Sequence, residues 1–461
     1  IAAAFAFDLA RSVVYTRQGN PAWAGQERDG LAPLRANDMF YGAAAGDPQP
    51  DWVDRSNVAI PQADELQRLL VNLVHELTVD LAPMPRFWYF PRGLKAVVVM
   101  TGDDHANNGT EPRFNQYLAL SEAGCSVEDW ECIRGSSYIY TNTPLAPAIA
   151  DQFQAEGFEI ALHPFQSCGW TPNQYASGLA AELAVFQANW PGITPPATNR
   201  THCIAWSDWA TQPREQASLG IRLDTNYYYW PPAWVNDTPG VFTGSAMPMR
   251  FADTDGSLID CYQLATQMTD ESGQTYPFHA DTLLDRALGP EGFFGAFCAN
   301  MHTDAPTSSG SDAIIGSAVA RGVPVISALQ LLDWVDGRSN STFDSLHWDG
   351  QTLSFDLSLA QGSRGIEVML PAEAGPGPLQ SVSSPTRASI PFEVRTVKGV
   401  AYAFFRPPAS GPIQALYAPL PPCAGDVNGD GSTNAADFVI LAGNFGALVP
   451  LRNGLSEELN R

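Results

Sequence analysis

Ala96-Val97-Val98-Val99-Met100 is a short, unbroken apolar run that empties within a few residues into Asp103, Asp104 and His105. A continuous run of this length reads as a strand buried on both faces, which places it in a parallel sheet covered by helices. In such sheets chemistry sits at the C-terminal ends of the strands. Two adjacent carboxylates there repel unless a cation or a proton holds them, an arrangement suited to a metal-dependent hydrolase. The plainer alternative has Asp103 and Asp104 capping the following helix, with His105 an ordinary loop residue.

The surrounding pattern supports the parallel sheet. From about residue 93 to 340 strand candidates (Ala96–Met100, Ser137–Tyr140, Glu159–Leu162, Gly220–Leu223, Gly295–Asn300 and Val323–Ser327) alternate with helical patterns over Pro144–Glu156, Gln174–Trp190, Asp281–Leu288 and Ser311–Arg321. This is βαβ grammar, and the strand count suits an α/β fold of distorted (β/α) barrel type. Residues 1–92 form a separate N-terminal segment with a helix over Gln62–Leu77. Residues 341–420 switch to short alternating strands (Thr352–Leu359, Gly365–Leu370, Phe392–Val397, Ala401–Arg406), the pattern of a small β-sandwich. Pro419-Leu-Pro-Pro-Cys423 is then a stiff linker into a last unit, 421–461.

A net charge of −24 excludes nucleic acid and anionic membrane as expected partners, since no basic patch is available to neutralise phosphates. No apolar stretch is long enough to span a membrane. The chain opens at Ile1 rather than Met, which we read as a truncated start, so a missing signal peptide says nothing about export. Seven cysteines leave at least one without an intramolecular partner. Cys125 and Cys132 bracket a short loop and suit a local disulfide. Cys168 and Cys203 each lie near a candidate histidine and could meet at the rim of a site, and Cys423, in a Pro-rich linker, is the expected odd one.

Asp426-Val-Asn428-Gly-Asp430-Gly431-Ser432-Thr-Asn434-Ala-Ala-Asp437 places oxygen donors at positions 1, 3, 5, 7, 9 and 12 of a twelve-residue loop, with Gly at 6. That is calcium-loop spacing. Three further groups close successive strands in the α/β region: His163 after Glu159–Leu162, Arg200 and His202 in Asn199-Arg-Thr-His, and His302 in Cys298-Ala-Asn-Met-His-Thr-Asp304. A lone histidine is usually structural, but three at strand ends beside an acid pair point to a site. Trp170, Trp206, Trp209 and the run Tyr227–Trp230 lie near these motifs and could stack on sugar rings, core aromatics being the alternative.

These motifs resemble the polysaccharide deacetylase (NodB-homology) family across about residues 93 to 335, which implies a distorted (β/α) barrel hydrolysing acetyl groups on sugars with a divalent metal, zinc above all. Thr101-Gly-Asp103-Asp104 is similar to the first motif, which makes Asp103 the general base and Asp104 a metal ligand. His163-Pro-Phe-Gln-Ser167 keeps the first histidine of the second motif and has Ser in place of the other, so His202 or His105 is expected to complete the ligand set. The resemblance makes Arg200 the residue orienting the base, Asp224 the brace for that arginine, and His302 the general acid. The calcium loop with the apolar helix after it resembles one repeat of a type I dockerin, which implies a cohesin-like scaffold as partner. Asp8 to Trp23 resembles the end of an amidotransferase-like, flavodoxin-type domain. The expected protein is a secreted or cell-surface, metal-dependent carbohydrate deacetylase. Two alternatives are a catalytically impaired carbohydrate-binding or scaffold-docking protein and a glycoside hydrolase on a related barrel.

Overall fold

The computed structural model describes residues 3–42, 51–165, 168, 170–375, 377–417, 425, 427, 428 and 432–443. The first half of the chain forms β1 (Arg86–Phe87), β2 (Ala96–Asp104), β3 (Ser136–Ile139), β4 (Glu159–Leu162), β5 (Thr198–Asn199) and β6 (Leu223–Asp224). It continues with β7 (Met249–Ala252), β8 (Leu258–Gln263), β9 (Thr266–Thr269), β10 (Gly295–Asn300) and β11 (Val325–Ile326). Every residue of β2 is buried, as its apolar run requires. One edge of β2 pairs in parallel with β10. The other pairs first with β11 at Val98–Val99 and then with β3 from Thr101 to Asp104. The sheet therefore runs β4-β3-β2-β10-β9, with β11 beside β2.

A second sheet, β5-β6-β8-β7, is parallel except for its β7–β8 hairpin. It curls back toward the first, because Tyr228, just beyond β6, bridges Thr266 of β9 in parallel. Among the described residues β4 and β5 share no strand pairing; the Asn199 side chain instead donates to the Leu162 carbonyl at 3.3 Å. The architecture is thus mixed α/β with a partly curled sheet. It does not close as one continuous ladder, because short β5 and β6 use buried polar side chains where longer strands would use backbone.

The helices follow the sequence pattern closely. Pro172–Asn189 starts at a capping box in which Thr171 and Gln174 exchange hydrogen bonds, with Pro172 at the first helical position. Two expected strands are shortened for a local reason. Gly220 sits at φ +85° in the turn that ends helix Thr211–Ser218, so β6 starts only at Leu223. Ser327 caps the helix Ala328–Ser339, which cuts β11 to Val325–Ile326.

The N-terminal segment is built into this unit. Helix α1 (Leu9–Gln18) ends in Gln18, whose side-chain amide both donates to and accepts from the backbone of Ala252 in β7. Phe40 packs edge-on against Tyr227 and Phe242. Helix α2 (Gln62–Thr78) follows, its Asp64 carboxylate accepting from Ser245 Oγ and Ala246 N.

Beyond residue 341 lie β12 (Thr342–Trp348), β13 (Thr352–Ser358), β14 (Val368–Pro371), β15 (Glu373–Ala374) and β16 (Gly377–Ser384), then β17 (Arg387–Ile390), β18 (Phe392–Val397), β19 (Val400–Phe405) and β20 (Gly411–Tyr417). They form two antiparallel sheets, β1-β14-β19-β18 and β12-β13-β20-β16-β15 with β17 on β16. Their inward residues, among them Phe355, Val368, Val382, Phe405 and Ile413, share one buried cluster. Strand β1 shows that this region also recruits residues 86–87. Near the C-terminus only the helix Ala435–Gly443 and parts of the loop before it are described.

Candidate active site

Strand alternation sorts the residues at the end of β2. Thr101, Asp103 and His105 face inward, whereas Gly102 and Asp104 face the opposite side. Asp103 is 3% exposed and meets Arg200, Nη1 lying 3.3 Å from Oδ1; Asn300 donates to its other oxygen at 2.9 Å. Arg200 is held in turn by Thr101 Oγ1 at 2.8 Å and Thr266 Oγ1 at 3.0 Å. Burial works against an ionised Asp103, but Arg200, helped by His163, His302 and His105, more than offsets it and holds the carboxyl at about 2.

Asp104 goes the other way, and its expected role as metal ligand is corrected here. Oδ1 accepts the backbone N–H of Asn107 and Asn108, and Oδ2 accepts the N–H and hydroxyl of Thr110. It therefore secures the turn into helix α3 (Thr110–Leu120) and lies outside the histidine cluster. The capping alternative holds for Asp104 and fails for Asp103.

The cluster consists of His105, His163 and His202, whose ligand nitrogens lie within 4.8 Å of one another. Each ring has its Nδ1 engaged: His163 with the Arg200 carbonyl at 2.7 Å, His105 with Asp304 Oδ2 at 2.7 Å, His202 with the Tyr140 hydroxyl at 2.7 Å. That leaves Nε2 of each ring to converge on the centre. Partners of this kind on the outer nitrogen fix the ring and tautomer of metal-binding histidines. His163 is 1% exposed and its Nε2 is buried with no hydrogen-bond partner. A cation accepting that lone pair would resolve the orphaned atom, and a neutral tris-imidazole set suits zinc or a similar transition metal. Burial drives His163 down to about 3 and, with His105 adding to it, His202 down to about 4, so both are unprotonated at neutral pH. His105 moves the other way: burial lowers its pKa, but Asp304 outweighs this and raises it.

His302 stacks on His105, ring centroids 5.3 Å apart. Asp270 accepts both its backbone N–H at 2.8 Å and its Nδ1 at 2.7 Å. Burial would lower the imidazole, but Asp270 and then Asp103 raise it to about 9. The cavity between these groups has a volume of about 150 Å³ and is lined by Asp103, the three clustered histidines, His302, Glu271, Trp230, Arg35 and the Cys203–Ile204 turn. Cys203 is joined to Cys168 at this rim, and Cys125 to Cys132 elsewhere. Cys261 and Cys298 are free and buried, while Cys423 lies outside the described residues.

Asp224 does not touch Arg200, which corrects its expected role as brace. Gln216, together with the Asn226 side chain and backbone N–H, occupies its carboxylate, and Asn226 accepts the N–H of Thr201. It steadies the segment that carries Arg200 rather than the guanidinium itself. Of the aromatics, Trp170, Trp206, Trp209 and Tyr227–Tyr229 are buried, and only Trp230 lines the cavity. Ser167 lies outside the described residues. So do Asp426 and Asp430 of the calcium loop; Asp437 accepts the N–H groups of Val427, Asn428 and Asn434, and Asn434 accepts from Ala436. Of Ser432, the backbone carbonyl accepts from Asn434 Nδ2 at 3.4 Å.

Sequence reasoning missed Asp270, Asn300 and Asp304 as partners of the site, and Arg35, Tyr140 and Glu271 around it. Asp304 and Asn300 flank His302 by two residues each, the alternation that brings side chains to one face. Asp270-Glu271 directly follows β9, whereas Asp103 lies within the last residues of β2, and Thr266–Thr269 carries no apolar run to announce a strand.

No protein-family model and no curated protein sequence matches the chain. Among solved structures, a Mycobacterium smegmatis protein assigned to the polysaccharide deacetylases is 16% identical, with 56% of this chain and 96% of that one covered and a TM-score of 0.39. A family 4 acetyl xylan esterase from Clostridium thermocellum, in complex with a cobalt ion, is 14% identical, covering 51% and 90%, with a TM-score of 0.28. The chitin deacetylase of Colletotrichum lindemuthianum is 11% identical, covering 52% and 88%, with a TM-score of 0.32.

Proposed function

We propose that the chain is a metal-dependent carbohydrate deacetylase, its two curled sheets forming one distorted (β/α) barrel. The observation that carries this reading is the convergence of three outward-anchored histidines beside a buried, charged Asp103 and a protonated His302. His105, His163 and His202 would hold the ion, zinc in our reading, which supplies polarisation of a carbonyl and acidification of a bound water. Asp103 accepts the proton of the attacking water, kept ionised and aimed by Arg200 and Asn300. His302, charged through Asp270, delivers a proton to the departing amine or alkoxide. The cavity's 150 Å³ is below the size of whole-ligand pockets, so it suits an acetyl group entering from a sugar held outside. Trp230, which lines the cavity, offers that sugar an apolar face.

The test measures bound metal and acetate release from acetylated oligosaccharides. His163→Ala and His202→Ala are expected to lose both. Asp103→Asn is expected to keep the metal and lose about 10²-fold or more in turnover, the scale of general-base catalysis. Wild-type acetate release by Asp103→Asn would sink the proposal, and reducing ends in place of acetate would establish the glycosidase instead.

We also propose that the protein works outside the cell, a reading supported by two disulfides among the described residues. For residues 426–437 we propose calcium and, through a dockerin-like repeat, a cohesin-like scaffold. Support comes from the oxygen-donor spacing and from Asp437, which draws the two ends of the loop together.

A further inference from the structure

A second cavity, of about 300 Å³, shares no lining residue with the first. It lies at the N-terminal end of the parallel strands, between α1 and α2 on one side and the last turn of helix Ala328–Ser339 on the other.

Its charge runs against that of the molecule. The chain has 49 acidic residues against 25 Lys and Arg, yet here Arg17, Arg68 and Arg338 meet a single lining carboxylate, Asp64. Asp64 stands 3.9 Å from Arg17 Nη1, and both its oxygens already accept from Ser245 and Ala246. Glu65, the acid paired with Arg68, is shared with Lys398. Arg338 donates only to the backbone carbonyls of Trp88 and Phe87; among the described residues no carboxylate pairs with it. Of the three, Arg338 alone lacks a carboxylate partner among the described residues, while the acids beside Arg17 and Arg68 are each engaged by other groups as well. Three donors belonging to the lining residues are also unsatisfied: Arg17 Nε, Arg68 Nη2 and the Tyr262 hydroxyl are buried with no hydrogen-bond partner.

We propose that this cavity binds a small organic oxyanion of about monosaccharide size, its carboxylate or phosphate taken by Arg68, Arg338 and Tyr262 and its body lying against Val71, Phe90 and Met247. Planar guanidinium groups match the paired oxygens of either anion, and the volume is at the small end of ligand pockets. The inference is independent of the chemistry assigned to the histidine site.

Calorimetric titration of the full chain at constant ionic strength, with glucuronate, inorganic phosphate and neutral glucose, tests it. Saturable one-to-one binding of at least one anion, without binding of glucose, is the expected result. Glucuronate alone would identify a carboxylate ligand, and phosphate alone a phosphate ligand. Tyr262→Phe and Arg68→Gln are each expected to weaken binding about tenfold or more, as loss of a hydrogen bond to a charged group does. Tyr262→Phe removes a hydroxyl and leaves the ring, so it decides the matter even if the arginine variant folds poorly. Failure of both anions to saturate, equal binding of glucose, or unchanged affinity in Tyr262→Phe would overturn the proposal.

Discussion

Asp270 sets the working range of His302. Because it accepts both the ring Nδ1 and the backbone N–H, it favours the imidazolium and lifts its pKa from 6.5 to about 9. A raised histidine contributes stability that is fully present below its unfolded value and is lost as pH rises through the folded one. A general acid follows the same course, losing its proton, and the rate with it, on the alkaline side. Asp270→Asn is therefore expected to move the alkaline limb of acetate release down by about one pH unit or more, the size of a lost charge-assisted partner. A full pH–rate profile checks this; an unmoved limb would dissociate Asp270 from the acid. Asp103 leaves the acidic side open, since Arg200 keeps it ionised down to about 2.

At the scale of the element, β2 carries two different loads on its two faces. Asp104→Ala is expected to cost about 1–2 kcal/mol through the lost cap while metal stoichiometry is retained. His105→Ala, one position on, is expected to lower metal content with little change in the apoprotein's urea midpoint. A Cβ at Gly102 would come within 2.6 Å of the Met301 carbonyl and the Thr303 side chain, so Gly102→Ala should destabilise by about 1–3 kcal/mol. Urea unfolding and metal analysis of the three variants resolve the two faces. Much of this was legible before the fold was known. Apolar runs locate β2, β4 and β10 and put His163 and His302 at their ends, because a doubly buried strand has to be continuous. What the sequence hid follows from the same geometry. Adjacency of Asp103 and Asp104 suggests a shared task, but neighbours on a strand point apart, so it is His105 and not Asp104 that joins His163 and His202. The short strands β5, β6 and β9 are rich in Thr, Asn and Asp, and their polar partners cannot be told from loop residues without the tertiary structure.

Across the whole molecule, the histidines tie together the ends of β2 and β4 and the turn after β5, two of them in one sheet and one in the other. A ligand that binds only the folded state stabilises it by mass action. Chelation is expected to lower the melting temperature by several degrees, with recovery on adding zinc, and His202→Ala should abolish the difference. A melting curve indifferent to chelator in the wild type would argue against an ion at this junction. The N-terminal segment bears on the same cavity, since Arg35 lines it and donates through Nε to the carbonyl of Cys203. A piece excised at Gly93 would retain Asp103, the three histidines and His302 and lose the wall of the cavity that Arg35 supplies. The lining of the cavity is thus drawn from two stretches of the chain, Arg35 from the N-terminal segment and the remainder from between residues 103 and 302.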